Sequence, residues 1–143
     1  MTISQTDTAA TVVYALEPDL AAADFRDILV RSTLAERRPV DDLDRLATMV
    51  ARADIIVTAR AAGRLVGVSR AITDYAFCCY LSDLAVDVAC QRQGIGRRLI
   101  EETRVAAGPR AKLYLSAAPA ARDYYPRIGM DHEPDCWSFP RRM

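Results

Sequence analysis

Gln91-Arg92-Gln93-Gly94-Ile95-Gly96-Arg97-Arg98-Leu99 is the stretch from which the rest of this chain can be read. It follows an apolar run that ends at Val86. It precedes Leu99, Ile100, Thr103, Ala106 and Ala107, whose spacing predicts an amphipathic helix stopped at Gly108-Pro109. A loop in that position stands where first-turn N–H groups lack intrahelical partners and the helix dipole is positive. Gly94 and Gly96 allow positive φ and close approach of the backbone to a ligand, so the loop suits a phosphate or pyrophosphate. The alternative is a glycine-rich turn with a solvated arginine pair. A Walker loop would continue Gly-Lys-Ser/Thr, but Arg97 and Arg98 follow Gly96; a dinucleotide fingerprint would need a third glycine where Leu99 stands.

Outward from the loop, helices and strands alternate. Val12–Leu16 reads as a first strand closed by Pro18, and Asp19 as the cap of a helix carrying Leu20, Phe25, Ile28 and Leu29. Asp41 or Asp42 starts a second helix with Leu43, Leu46, Ala47 and Val50 on one face. Residues 54–60 and 64–72 form a hairpin about Ala62-Gly63, and 76–86 return antiparallel to them. Beyond the loop and its helix, Lys112–Ser116 is a strand, so strand, helix and strand make a parallel pair with a right-handed crossover. Ala120–Ile128 reads as a short helix ended at Gly129, and Cys136–Phe139 as a last strand. The result is a mixed sheet, antiparallel first, with a βαβ unit at its end.

Composition bounds the function. The chain has 143 residues, 51% of them hydrophobic, with 19 basic and 19 acidic side chains. That is enough for one domain with a real core, and residues 12–143 are assigned to it, with 1–11 as a flexible tail. The balanced charge argues against nucleic acid as a partner. No apolar run suits a membrane span. The polar start, Met1-Thr-Ile-Ser-Gln-Thr-Asp, lacks the features of a secretion signal, which points to the cytoplasm. Cys78 and Cys79 are adjacent, Cys90 and Cys136 stand alone, and His132 has no second histidine nearby, so neither a metal site nor a disulfide framework is expected.

Leu84-Ala85-Val86 followed by Gln91-x-x-Gly94-x-Gly96 resembles the acetyl-CoA motif (Q/R-x-x-G-x-G/A) of the GNAT acetyltransferases. Tyr124-Tyr125-Pro126-Arg127-Ile128-Gly129-Met130 resembles that family's later motif, and one strand lies between the two, as in the family. The resemblance implies an α/β (α+β mixed) fold: a mixed, mostly antiparallel sheet of about six or seven strands, about four flanking helices, and a βαβ crossover forming the acetyl-CoA cleft. It implies that the backbone of Leu84, Ala85 and Val86 bonds pantetheine. It also implies that N–H groups from Arg92, Gln93, Gly94, Ile95, Gly96 and Arg97 hold the pyrophosphate, with Gln91 at the motif's first position. The Arg97 and Arg98 side chains would add charge. Tyr125 matches the tyrosine that protonates the departing thiolate, a transfer suited to a phenol of pKa near 10. Two departures stand out: Ala118 where many relatives carry Asn, and Pro126 directly after the tyrosine pair.

The attacking amine must be neutral, so a proton acceptor is needed. Asp83 shares a strand face with Ala85 and is the candidate base; its other reading is a solvated or ion-paired carboxylate. Asp87 is a weaker candidate. Tyr124 reads as packing, and Tyr75, Phe77 and Tyr80 as packing or an acceptor pocket. The implied function is transfer of acetyl from acetyl-CoA to a primary amine in a ternary complex, a small amine being favoured over a protein amine, by a monomer or homodimer without metal. The other readings are a non-catalytic acyl-CoA-binding regulatory module and a covalent route through Cys90.

Overall fold

The computed structural model describes residues 11–143; of the N-terminal stretch read as a tail, all but Thr11 lies outside them. One five-stranded sheet runs in the order β1 (Val12–Leu16), β2 (Ile55–Ala61), β3 (Arg64–Thr73), β4 (Cys78–Val86), β5 (Lys112–Tyr114). The first four strands pair antiparallel and β4 pairs with β5 in parallel. The helices are α1 (Ala22–Arg31), α2 (Leu43–Ala51), α3 (Ile95–Ala107) and α4 (Tyr124–Arg127). No helix among the described residues is long and apolar enough to cross a membrane.

The central strands are covered on both faces, which is why Ile55-Ile56-Val57 is a continuous apolar run rather than an alternating one. Ile56, Leu65, Val68 and Ala85 face α1 and α2, where they meet Phe25, Ile28, Leu29 and Leu46. Ile55, Val57, Ala59 and Leu81 face α3, where they meet Ile95, Leu99 and Ile100. Burying side chains of this size contributes roughly 1.5–3 kcal/mol each. Gly67 lets α3 sit this close, since a Cβ there would lie 3.0 Å from Leu99 and 3.1 Å from Ile95. Beneath α3 the Thr103 hydroxyl donates to the Leu99 carbonyl (2.7 Å), which leaves Ser69 as the donor in their 2.6 Å contact. That buried pair pins the helix to β3.

Several expectations are corrected. Among the described residues the sheet has five strands rather than six or seven. Cys136–Phe139 lies outside any strand, with Trp137 and Phe139 exposed. Pro134 and Pro140 flank that segment, and each lacks the N–H that a ladder requires. The first helix starts at Ala22 with Ala21 as its cap, not Asp19, whereas Asp42 caps α2 by accepting from the Arg45 N–H at 3.0 Å. Residues 120–128 are not one helix. A 3-10 turn at Pro119–Ala121 is followed by α4, where Pro126 sits in the first turn and its missing N–H has no partner to lose.

Candidate active site

The site is built around the end of β4. Pairing of β4 with β5 stops at Tyr80 and Tyr114, whose rings lie 5.5 Å apart, while β4 runs on to Val86. From Leu81 onward the outer edge of β4 has no strand partner among the described residues.

Which backbone groups occupy that edge is set by an irregularity. Arg70 pairs with Asp83 but Ala71 pairs with Leu81, so Ser82 is an extra residue, a β-bulge. Before it, the Phe77 carbonyl accepts from the Lys112 N–H, so odd-numbered residues face β5. After it, the Asp87 N–H donates to Val66 in β3 at 2.9 Å, so odd-numbered residues now face β3. Leu84 and Val86 are thereby turned to the open edge. Ala85, expected to share that edge, has its backbone groups directed at Val68 instead. The bulge also swaps faces: Leu81 packs under α3, but Ala85 packs under α1 and α2.

The loop follows at once. Asp87 accepts from the Ala89 N–H (2.9 Å) and caps a 3-10 turn at Val88–Cys90. Its carboxyl is held below the usual aspartate range first by that hydrogen bond, and then by Arg31, which donates at 2.6 Å. Gln91 donates from Nε2 to the Val86 carbonyl at 3.2 Å, tying the motif's first residue back to the cleft edge. Arg92 has φ +65°, and Gly94 caps α3 at φ +81°, a conformation that glycine adopts without a Cβ penalty. Gln91, Arg92, Gln93 and Gly94 are exposed, Gly96 is half-buried, and the Ile95 side chain is buried as the anchor of the turn. The first-turn N–H groups of α3 thus open onto the end of the cleft. The residues fit a diphosphate: an exposed backbone turn, Gly96 where a Cβ would crowd Tyr124, and Arg97 exposed beside them.

Arg98 does not join them. Its guanidinium lies over the Tyr14 ring, 4.7 Å from the centroid, and it donates to Glu102 at 3.3 Å. Tyr124 and Tyr125 meet edge to face at 5.3 Å. The Tyr124 hydroxyl reaches the first turn of α3, 3.1 Å from where a Gly96 side chain would begin. Tyr125 packs against the core under α3, and burial, with Tyr124 adding, raises its phenol above the ordinary value of 10.0. A phenol so placed keeps its proton at neutral pH.

Asp83 is fully buried, and its two oxygens are taken by the Nε groups of Arg38 and Arg70. Of its two readings this is the geometry of the ion-paired carboxylate, and neither oxygen is left free for an amine proton. Sequence reasoning missed both arginines, because they lie 45 and 13 residues from Asp83.

Of the aromatic residues read as packing or an acceptor pocket, Tyr80 lies where β4 and β5 part, whereas Tyr75 and Phe77 precede the other end of β4. Phe77 is exposed, and the Tyr75 hydroxyl donates to the Asp54 carbonyl at 3.0 Å. A shallow depression over β1 and β2 is lined by Glu17 and Arg60, which pair with each other at 2.8 Å. Cys79 is buried, Cys78 and Cys90 are half-buried, and Cys136 is exposed; all four are free thiols.

Comparison with known proteins agrees with this fold. The family model described as "Acetyltransferase (GNAT) domain" matches residues 32–133. No curated protein matches the sequence. A GNAT-family acetyltransferase from Streptococcus pneumoniae superposes with a TM-score of 0.71 at 18% identity, covering 93% of this chain and 100% of that one. An aminoglycoside N-acetyltransferase in complex with CoA gives 0.71 at 15% identity, over 94% and 97%. An aminoglycoside acetyltransferase from an uncultured soil metagenomic sample, in complex with sisomicin, gives 0.66 at 19% identity, over 96% and 98%. The chain belongs to the GNAT acetyltransferase family.

Proposed function

We propose that the protein transfers the acetyl group of acetyl-CoA to a primary amine of a small molecule, by direct attack within a ternary complex. The observation that carries this reading is the meeting of an unpaired β4 edge with the N-terminus of α3 across a glycine turn. Acetyl-CoA needs both: amide partners for pantetheine and anion donors for the diphosphate. Leu84 and Val86 offer the first and residues 92–97 the second, with Gln91 steadying the junction. Acetyl-CoA supplies the activated acyl group. Tyr125, held protonated by its burial, is the acid for the departing thiolate. A small amine as acceptor is supported by the relative that binds sisomicin.

The test is release of free thiol from acetyl-CoA by the purified protein against a panel of amines, aminoglycosides and polyamines included. Turnover with a small amine is expected. Tight CoA binding with no turnover on any amine, peptides included, would establish a binding module instead, and turnover confined to peptides would overturn the small-molecule acceptor.

A further inference from the structure

The β4 bulge is the feature that turns Leu84 and Val86 to the cleft, and an inserted residue normally leaves the ladder locally disrupted. Here the carbonyl and the hydroxyl of that residue are both engaged. The Ser82 carbonyl accepts from Arg38 Nη2 at 2.8 Å, and the Ser82 hydroxyl from Arg70 Nη2 at 2.9 Å. The Asp83 carboxylate accepts from both Nε atoms. Each guanidinium thus grips two successive residues, a bulge residue and the residue after it, as only a forked donor can. Their remaining arms reach backwards, Arg38 to the Arg37 carbonyl (2.8 Å) and Arg70 to the Met49 carbonyl of α2 (3.3 Å).

We propose that Arg38, Asp83 and Arg70 are a positioning clamp that holds the Ser82 bulge and so keeps the Leu84 and Val86 backbone groups aimed into the cleft. The proposal rests on the acetyltransferase reading for its catalytic consequence, not for its geometry. Two cations and one anion taken out of water add little stability over an apolar cluster of the same size. What they do supply is register. Losing the extra residue from the ladder would return the odd-numbered residues to the open edge and turn the backbone groups of Leu84 and Val86 against β3. The clamp also makes the segment between α1 and α2, which carries Arg38, a support of the cleft edge rather than a mere connection.

Arg38 is the arm to test, since it lies near the surface, with its side chain 21% exposed, and its loss leaves Arg70 on Asp83. In the protein without CoA, Arg38→Met is expected to speed hydrogen exchange of the Asp83 and Ala85 amides by about tenfold or more, while those of Val57 and Thr58 in β2 change less than about threefold. In the loaded enzyme kcat should fall by about tenfold, and CoA affinity by about threefold to tenfold, because the pantetheine partners on Leu84 and Val86 loosen while residues 92–97 are untouched. Arg38→Lys keeps the charge without the fork and should resemble Arg38→Met. Soluble guanidinium, well below denaturing concentrations, should restore Arg38→Ala in both readouts.

Unchanged exchange at Asp83 and Ala85 overturns the clamp. So does loosening spread evenly over the sheet, or Arg38→Lys behaving as the parent protein. A parent protein that neither binds CoA nor releases thiol overturns the acetyltransferase chemistry instead, and the exchange experiment then judges the clamp by itself.

Discussion

The Tyr124 hydroxyl stands 3.1 Å from the point where a side chain on Gly96 would begin. The two residues lie on different helices, and their contact joins the later tyrosine pair to the glycine turn that opens α3. Gly96→Ala forces the tyrosine ring to give way beside the first-turn N–H groups. Calorimetry should show acetyl-CoA affinity reduced about tenfold, or about 1.4 kcal/mol, and partly regained in Gly96→Ala with Tyr124→Phe. Affinity unchanged in the single variant would remove this turn from the diphosphate site. Gly94→Ala provides a contrast: nothing lies within 4 Å of its Cβ, so the penalty is the strain of φ +81°, about 1 kcal/mol of stability.

Tyr125→Phe keeps the ring and its packing and removes only the hydroxyl. Charge develops on sulfur only as the thioester breaks, so kcat should fall roughly 10–100-fold while acetyl-CoA affinity holds. Steady-state kinetics with an identified acceptor near pH 8, together with calorimetry, measure the two effects separately. Full kcat in this variant would assign leaving-group protonation to water.

Cys90 is half-buried just before the turn, its N–H donating to the Asp87 carbonyl at 2.8 Å. With direct transfer, Cys90→Ala keeps most of the activity, and mass spectrometry after exposure to acetyl-CoA alone finds no acetylated protein. An added acetyl group on Cys90, joined to loss of turnover in the variant, would establish a covalent route.

Asp87 links stability to pH. The Ala89 N–H and Arg31 hold its carboxyl below the usual aspartate value of 3.8 in the folded protein. Its contribution is therefore complete above that value and is lost as pH falls through the lower, folded-state one. Asp87→Asn should destabilise the protein by about 2 kcal/mol at pH 7, a difference that shrinks under acid conditions as the parent's carboxylate takes up its proton. Urea denaturation of both proteins at neutral and acid pH measures this. A difference independent of pH would mean that packing, not the charge, is what Asp87 supplies.

The glycine turn, the helix after it, the β2–β3 hairpin and the parallel crossover were legible in the chain itself, because each rests on local signals. Glycine at a helix start, apolar spacing along α3 and a short turn at Ala62-Gly63 need no distant partner to be recognised. The cleft edge was legible only as a motif. That Leu84 and Val86 face it and Ala85 does not depends on the Ser82 bulge, which exists only once β3 has paired with β4. Asp83 could be read as a base or as a charge partner until Arg38 and Arg70 arrived from elements far along the chain. Trp137 and Phe139 carry the composition of a strand yet stay unpaired, since pairing needs an edge with matching donors as well as apolar residues. Local chemistry wrote the elements of the site; the contacts between distant residues, which no spacing rule encodes, decided which of its atoms face the cleft.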